Sequence, residues 1–267
     1  MNKRLIIIFA CIAIFVLTLV VGAVVFSVSD VNILLQSEEN VSFDKAKILE
    51  TSGIKKGQSV FTINSEKASA DIEKQFPKLK VVKIERVFPN KVRIHLDTRT
   101  AIFKINYNDK YAILDRELKI IDITNNLDSY SQIDLVNITG YTLNQEQHKL
   151  GDFVNDNTID IKALKEVITK LEVKGVVNEK ISATFESFEF VTNEKLKMKT
   201  ALGITFVIKT QANKSAGEQC EGLYDKFCQM GSEREEPIFI SYHETNGIVV
   251  TPNEPWHYLQ YIIENYI

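Results

Sequence analysis

The sequence predicts an α+β protein with an N-terminal transmembrane helix, a β-α-α-β-β module, and then a mainly antiparallel β domain with two flanking helices. Three observations predict this fold class. An uncharged apolar run opens the chain, a segment with alternating strand and helix signals follows it, and a longer strand-rich segment makes up most of the remainder. The 267 residues are enough for one large or two modest domains beyond the apolar run.

The apolar run extends from Leu5 to Val28 and follows two basic residues, Lys3 and Arg4. As a helix it would be roughly 36 Å long, enough to cross a hydrocarbon core of about 30 Å with some tilt. Positive charge precedes the run, and Asp30 is the first charge after it. The positive-inside rule therefore predicts that residues 1–4 are cytoplasmic, that residues 5–28 span the membrane, and that the remainder is extracytoplasmic.

A cleaved signal peptide is the alternative interpretation of this run. The apolar region of a signal peptide is normally about 7–15 residues long and ends in a small-x-small cleavage site. The run here is longer, and the two sites of that kind, Ala23-Val24-Val25 and Ser27-Val28-Ser29, are poor or only passable. The sequence therefore favours an uncleaved anchor.

Residues 30–99 show the signals of the β-α-α-β-β module. The first strand is predicted at Val31–Leu35, and Ser42 is a candidate N-cap of the helix that follows it. Gly53 is placed to close that helix, at a position where a positive φ favours glycine.

The second helix of the module is predicted to begin at Asn64 or Ser65 as its N-cap and to run to Phe76, where Pro77 stops it. Two segments of alternating apolar and polar residues then predict a hairpin, namely Lys80–Val87 and Lys91–Asp97 joined by Phe88-Pro89-Asn90.

Residues 100–251 are predicted to form the β domain, with strands joined largely in sequence. The candidate strands are Ala101–Ile105, Tyr111–Leu114, Lys119–Ile123, Gln132–Ile138, Ile181–Phe185, Phe188–Val191, Lys195–Thr200, Ile204–Lys209, Pro237–Tyr242 and Gly247–Thr251. Two helices are predicted, at about Thr158–Val173 and Asn213–Met230. Cys220 and Cys228 lie in the second of these, about 12 Å apart along its axis, too far for a disulfide.

The tail, residues 252–267, is predicted to be amphipathic. Pro255 suits a first helical turn, and Trp256, Leu259, Ile263 and Tyr266 follow at helical spacing. Two interpretations stay open, because this apolar face can pack on the β domain or contact a partner or the membrane surface.

The segment from Val31 to Ala101 resembles the POTRA domain of the FtsQ/DivIB cell-division family. The resemblance depends on the order and spacing of five features directly after one membrane helix. They are the strand Val31–Ile33, the helix opening at Val41-Ser42, and the runs Ser52–Phe61, Ile72–Pro77 and Val82–Ile94. Tyr111–Asp115 and Leu202–Val207 resemble parts of the family's β domain. The chain departs from the family where Arg116-Glu117 replace a usual glycine, and where Thr98 replaces the usual acidic residue before Arg99.

The resemblance implies a non-enzymatic septal scaffold of the bacterial divisome in the cell membrane. Its implied partners are bitopic division proteins of the FtsL and FtsB/DivIC types, which dock on the C-terminal edge of the β domain in this family. An exposed strand edge can bind such a partner by β-augmentation. The candidate partner-binding residues are Ile238, Ile240, Tyr242, Ile248, Val249, Val250, Trp256 and Leu259. An inner-strand core role for Ile248–Val250 is the alternative.

The residue pattern predicts no catalytic, metal or cofactor site and no small-molecule substrate. The four histidines (His95, His148, His243 and His257) are scattered without metal-ligand spacing, and no nucleophile elbow or phosphate-binding loop occurs. The formal net charge of −3 gives no electrostatic reason to expect nucleic-acid binding.

Two other function classes stay open. A POTRA-containing protein-transport or secretion factor would carry tandem modules or a C-terminal barrel, whereas a secreted envelope hydrolase would carry a polar cluster in a cleft.

Overall fold

A computed structural model describes residues 3–36, 43–154, 158–176, 178–192, 195–209, 212–230 and 238–251 of the chain. The chain divides into two compact units, Met1–Arg99 and Thr100–Ile267.

The first unit begins with helix α1, Lys3–Val25, which starts before the predicted membrane run and ends before its last residue. The large apolar side chains that are described in α1, from Phe9 to Val25, are exposed. Among the residues that the structure describes, no helix combines the length and the apolar character that crossing a membrane requires. The anchor at residues 5–28 therefore stays a prediction from the sequence.

The rest of the first unit has the predicted β-α-α-β-β order. Its elements are β1 (Asp30–Leu35), α2 (Lys45–Ser52), a 3-10 turn (Val60–Thr62), α3 (Ser65–Gln75), β2 (Leu79–Val87) and β3 (Lys91–Thr98). Strand β3 lies in the middle of a three-stranded sheet, parallel to β1 and antiparallel to β2. The two helices pack on this sheet through a core that includes Ile48, Ile72, Val92 and Ile94.

Local capping explains where these helices begin and end. Asp44 is the N-cap of α2, and its Oδ1 accepts hydrogen bonds from the backbone N–H groups of Ala46 and Lys47. The predicted cap, Ser42, lies outside the described residues. Gly53 closes α2 with φ of +66°, as predicted, and Asn64 caps α3.

The second unit contains nine strands in one sheet. They are β4 (Phe103–Tyr107), β5 (Lys110–Leu114), β6 (Ile120–Thr124), β7 (Val136–Thr139), β8 (Phe185–Thr192), β9 (Lys195–Thr200), β10 (Ile204–Lys209), β11 (Ile238–His243) and β12 (Gly247–Thr251). Strand β7 begins later than predicted, because a 3-10 turn at Asp128–Tyr130 occupies the approach to it and the Tyr130 carbonyl accepts from the Ile133 N–H.

The strand order in this sheet is β12-β11-β10-β9-β8-β7-β4-β5-β6. Five of the eight described strand pairs are antiparallel, and the pairs β4·β7, β7·β8 and β10·β11 are parallel. The prediction of a mainly antiparallel sheet is confirmed, but the sheet is mixed. Helices intervene between β7 and β8 and between β10 and β11, and such crossovers let a strand return in the same direction.

Three helices accompany this sheet within the described residues, one more than predicted. They are α4 (Ile159–Val173), α5 (Asn178–Thr184) and α6 (Ala216–Gln229). The prediction of a strand at Ile181–Phe185 is wrong, because residues up to Thr184 form α5 and β8 begins at Phe185. Helix α6 begins later than predicted, because Ser215 and Glu218 form a capping box.

Aromatic side chains fill the middle of the second unit. Phe103, Phe185, Phe188 and Phe206 are fully buried, and neighbouring rings in this set have centroids 5.5–5.7 Å apart. The apolar faces of α4 and α6 cover this cluster. The core therefore holds α6 against β10 and against β11, the first strand of the hairpin that β11 and β12 form.

Candidate partner-binding surface

The candidate surface is the hairpin of β11 and β12. The register pairs His243 with Gly247 and Phe239 with Thr251, so three residues form the turn. Gly247 has φ of +70°, and open space surrounds the position of a Cβ there. A glycine is therefore favoured at Gly247 by its backbone conformation and not by close packing.

Strand β12 lies at the end of the described sheet. Its one neighbour there is β11, whereas β11 lies between β12 and β10. The two strands of the hairpin therefore differ in environment, although both show the same apolar character in the sequence.

One face of β12 is continuous with the buried face of β11. Val250 pairs with Ile240 and Ile248 pairs with Tyr242 in the antiparallel register, so these four side chains lie on the same face of the sheet. Ile240 is fully buried in the core, but Ile248 is 37% exposed and Val250 is 39% exposed. The apolar face of the sheet thus becomes accessible where it reaches β12.

Helix α6 fixes the position of this face through a glycine. A Cβ added to Gly222 would lie 2.7 Å from Ile248 Cδ1, so the absent side chain lets Ile248 pack directly on the helix. Ile248 therefore links β12 to α6, while Val250 lies further along the strand. Gly222 was missed in the sequence analysis, although a glycine inside an amphipathic helix is a signal of close packing.

Tyr242 ties the hairpin to the chain that enters α6. Its hydroxyl lies 3.0 Å from Asn213 Oδ1, to which it donates a hydrogen bond. The Lys214 ammonium lies 5.0 Å from the centroid of the Tyr242 ring, within cation–π range. Tyr242 is consequently a buried structural residue of β11.

The opposite face of the hairpin contains a buried polar group. Ser241 pairs with Val249, and its hydroxyl is buried without a hydrogen-bond partner among the described residues. Val249 itself is half-buried. The accessible apolar side chains of β12 are therefore on the face that it shares with Ile240.

The predicted partner-binding residues fall into three groups. Ile240 and Tyr242 are buried and Ile238 is half-buried against the core, so these three belong to the support of the surface. Ile248, Val249 and Val250 come together on the end strand. Trp256 and Leu259 lie outside the described residues.

His95 and His148 lie in different units of the chain and make separate contacts. His95 Nε2 lies 3.0 Å from Glu85 Oε2, and this hydrogen bond is the main cause that lowers the pKa of Glu85. His148 is buried, and its backbone carbonyl accepts a hydrogen bond of 2.7 Å from the Tyr107 hydroxyl. Among the described residues, no group of three His, Cys, Asp or Glu side chains is arranged to hold a metal ion.

A cleft of about 540 Å³ in the second unit is lined by Lys104, Tyr130, Asp134 and Glu186, among others. The Tyr130 hydroxyl donates a hydrogen bond of 2.6 Å to Asp122 Oδ2. Burial is the main cause that raises the pKa of Tyr130 above its ordinary value, and the Asp122 carboxylate raises it further. The phenol is therefore protonated at neutral pH and acts as a hydrogen-bond donor.

The two cysteines of α6 are free, as the sequence predicted, and they lie in different environments. Cys220 is fully buried and Cys228 is exposed, so only Cys220 lies on the buried face of α6. Burial raises the pKa of the Cys220 thiol to about 12. The thiol is therefore protonated at neutral pH, so this buried side chain is a poor nucleophile.

Comparisons with known proteins match this chain to cell-division proteins. Residues 26–99 match the family model described as POTRA domain, FtsQ-type. A cell division protein DivIB of Clostridium acetobutylicum is 28% identical over 149 residues, which cover 56% of this chain and 55% of that protein. The chain thus aligns with about half the length of that relative.

Two further relatives have the same name. A cell division protein DivIB of Clostridium botulinum is 20% identical over 229 residues, which cover 80% of this chain and 84% of that protein. A DivIB of Bacillus cytotoxicus is 34% identical over 77 residues, which cover 29% of this chain and 30% of that protein. These matches confirm the resemblance to the FtsQ/DivIB family that the sequence runs indicate.

Proposed function

We propose that this FtsQ/DivIB-type chain is a non-enzymatic septal scaffold of the bacterial divisome that links bitopic division proteins of the FtsL and FtsB/DivIC types. The FtsQ-type POTRA match and the relatives named DivIB support a role in cell division. The observation on which the partner surface depends is the end strand β12, with its partly exposed Ile248 and Val250.

The proposed architecture places one anchor at residues 5–28, with residues 1–4 in the cytoplasm and the rest of the chain on the other side of the membrane. The uncharged sequence from Leu5 to Val28 and the exposed apolar side chains of α1 support this anchor. Beyond it lie a POTRA domain at residues 30–99, a β domain at residues 100–251, and an amphipathic tail at residues 252–267.

The proposed partner contact is β-augmentation. A strand at the end of a sheet offers backbone N–H and C=O groups to an extended segment of another protein, and the side chains on one face determine which segment fits. Here the apolar face formed by Ile248 and Val250 continues the core of the β domain. A partner strand with apolar side chains on the matching face would extend that core.

A charge on this face is expected to weaken partner binding. Val250→Glu would place a carboxylate where the partner's apolar side chain packs, and we expect the Kd for the FtsL- and DivIC-type partners of the source organism to rise about tenfold or more. Binding of the purified full chain to these partners in detergent measures the change. Leu202→Glu is the matched control, because Leu202 is an exposed apolar residue elsewhere in the same unit. Equal affinities of the two variants would refute the role of β12.

Site-specific crosslinking in cells is expected to trap the same partners. A photocrosslinking residue at position 248 or 250 should yield adducts with the FtsL- or DivIC-type proteins, and positions 256 and 259 should do so if the tail takes part. Position 202 provides the control on an exposed surface of the same unit. Adducts from position 202 that match those from 250 in yield would show that contact at β12 is not specific.

A further inference from the structure

Three phenylalanine rings form a cluster at the end of α1. The Phe26 ring centroid lies 5.3 Å from that of Phe61 and 6.4 Å from that of Phe88, and the centroids of Phe61 and Phe88 are 5.7 Å apart. Phe61 is 60% exposed and Phe88 is 58% exposed, although both are large apolar side chains. Clustered exposed aromatic rings on a folded unit indicate a surface that binds another protein or a membrane.

Backbone hydrogen bonds hold this cluster to the chain that leaves α1. The Val60 N–H donates to the Phe26 carbonyl at 2.9 Å, and the Val28 N–H donates to the Gln58 carbonyl at 2.7 Å. The Ser29 N–H donates to the Asn90 carbonyl at 2.8 Å. The cluster is therefore a fixed part of the first unit, directly continuous with α1.

Basic residues lie in the same segments of the chain as the rings. We define the tip as residues 26–30, 55–64 and 86–91, the three segments that these hydrogen bonds join. The tip contains Lys55, Lys56, Arg86 and Lys91 and one acidic residue, Asp30, although the whole chain has a net charge of −3. The three lysines and Arg86 are exposed, and Arg86 also donates a hydrogen bond to the Ile63 carbonyl.

We propose that the tip inserts into the surface of an anionic phospholipid bilayer, with Phe61 and Phe88 at the boundary of headgroups and acyl chains and the lysines at the lipid phosphates. This inference depends on the proposed anchor, because α1 ends at Val25, one residue before Phe26. Aromatic rings suit this boundary, and so do lysine side chains, because a lysine has an apolar stem and a charged end. The anchor tethers the POTRA domain to the membrane, and the insertion of the tip fixes the orientation of the domain on it.

Quenching by brominated lipids tests the insertion in the full-length chain. The chain has one tryptophan, so Trp256→Phe provides a background into which Phe61→Trp or, as a second position, Phe88→Trp is introduced. The proteins are reconstituted into nanodiscs of phosphatidylglycerol and brominated phosphatidylcholine. Val82→Trp is the matched control, because Val82 is exposed on β2 and lies roughly 20 Å along the strand from Phe88.

We expect F61W and F88W to lose most of their emission in brominated discs, and V82W to keep its emission. Omitting phosphatidylglycerol, or replacing Lys55, Lys56 and Lys91 with glutamine, should weaken the quenching. Emission of F61W and F88W that stays as high as that of V82W in discs that hold the protein would overturn the inference and leave the anchor standing. Quenching that does not depend on phosphatidylglycerol would overturn the role of the lysines. A chain that does not co-elute with the discs would overturn the anchor and the insertion together.

Discussion

Replacing Gly140 with alanine is expected to lower the free energy of unfolding of the second unit by about 4 kcal/mol. Gly140 follows β7 directly and has φ of +75°, a conformation that is strained for alanine. A Cβ there would overlap the carbonyl oxygen of Phe190 and lie 2.8 Å from its carbonyl carbon. Because the obstructing atoms belong to the backbone of β8, relief requires the parallel pair β7·β8 to separate.

Hydrogen exchange of the full chain measures this change, because protection of the β7 and β8 amides reports the stability of that pair. Gly175→Ala is the matched control. Gly175 also has a positive φ, +80°, but open space surrounds the position of its Cβ. The control should cost about 1 kcal/mol, from backbone strain alone. If both variants lose the same protection, close packing against Phe190 is not the reason for a glycine at position 140.

Arg99→Met is expected to destabilise the first unit by about 3 kcal/mol. Arg99 Nη2 lies 2.8 Å from Glu73 Oε2, and its Nε donates to the Leu79 carbonyl at 3.3 Å. The Arg99 side chain is 3% exposed and that of Glu73 is 16% exposed. Removing the cation leaves a largely desolvated carboxylate beside α3 and β2, and partial access to water puts the cost at the lower end for buried ion pairs.

Exchange protection of the α3 and β2 amides measures this loss, and Arg93→Met is its control. Arg93 lies 4.0 Å from Glu85, and both side chains are substantially exposed, so water and salt screen this ion pair and it should contribute little to stability. Adding Glu73→Gln to Arg99→Met should recover part of the lost stability, because it removes a largely buried negative charge whose ion pair with Arg99 has been lost. Equal effects of Arg99→Met and Arg93→Met would show that burial of the Arg99 pair does not matter.

The parts of the fold that depend on nearby residues were predictable from the sequence. Gly53 closes α2, as the sequence predicts, and Asn64, one of the two predicted N-caps, caps α3. Capping is determined by residues within one helical turn, so its signals are readable without knowledge of the tertiary structure. The same reasoning placed the N-cap of α2 at Ser42, two residues before Asp44, because several oxygen-bearing side chains precede that helix.

The identity of α5 could not be settled by the residue pattern. Ile181 and Phe185 are both fully buried, and a short apolar run of this kind suits a buried strand and a buried helix equally. The extended conformation begins at Phe185, where β8 starts to pair with β9, and pairing with β7 follows from Ser187. Tertiary pairing therefore determined an assignment that periodicity left ambiguous.

The candidate surface was predicted only in part, because the sequence marks strands but not their neighbours. Ile240 and Val250 are paired directly, yet the first is fully buried and the second is 39% exposed. The difference arises because β10 pairs with the other side of β11 after the crossover through α6. Similarly, Phe26, Phe61 and Phe88 are distant in sequence, and the fold alone brings their rings together.

The six strands from β7 to β12 lie in the sheet in the same order as in the chain, whereas β4, β5 and β6 lie beyond β7 at the other end of the sheet. A polypeptide made from its N-terminus onward therefore completes β12 after every strand on which its place depends. Val250 can pair with Ile240 only after β11 has joined the sheet. In turn, β11 pairs with β10 and packs against α6, so both must form first. Under the proposed function, an incomplete chain therefore lacks the strand on which partners would dock, and partner binding at β12 would begin only after the β domain is complete.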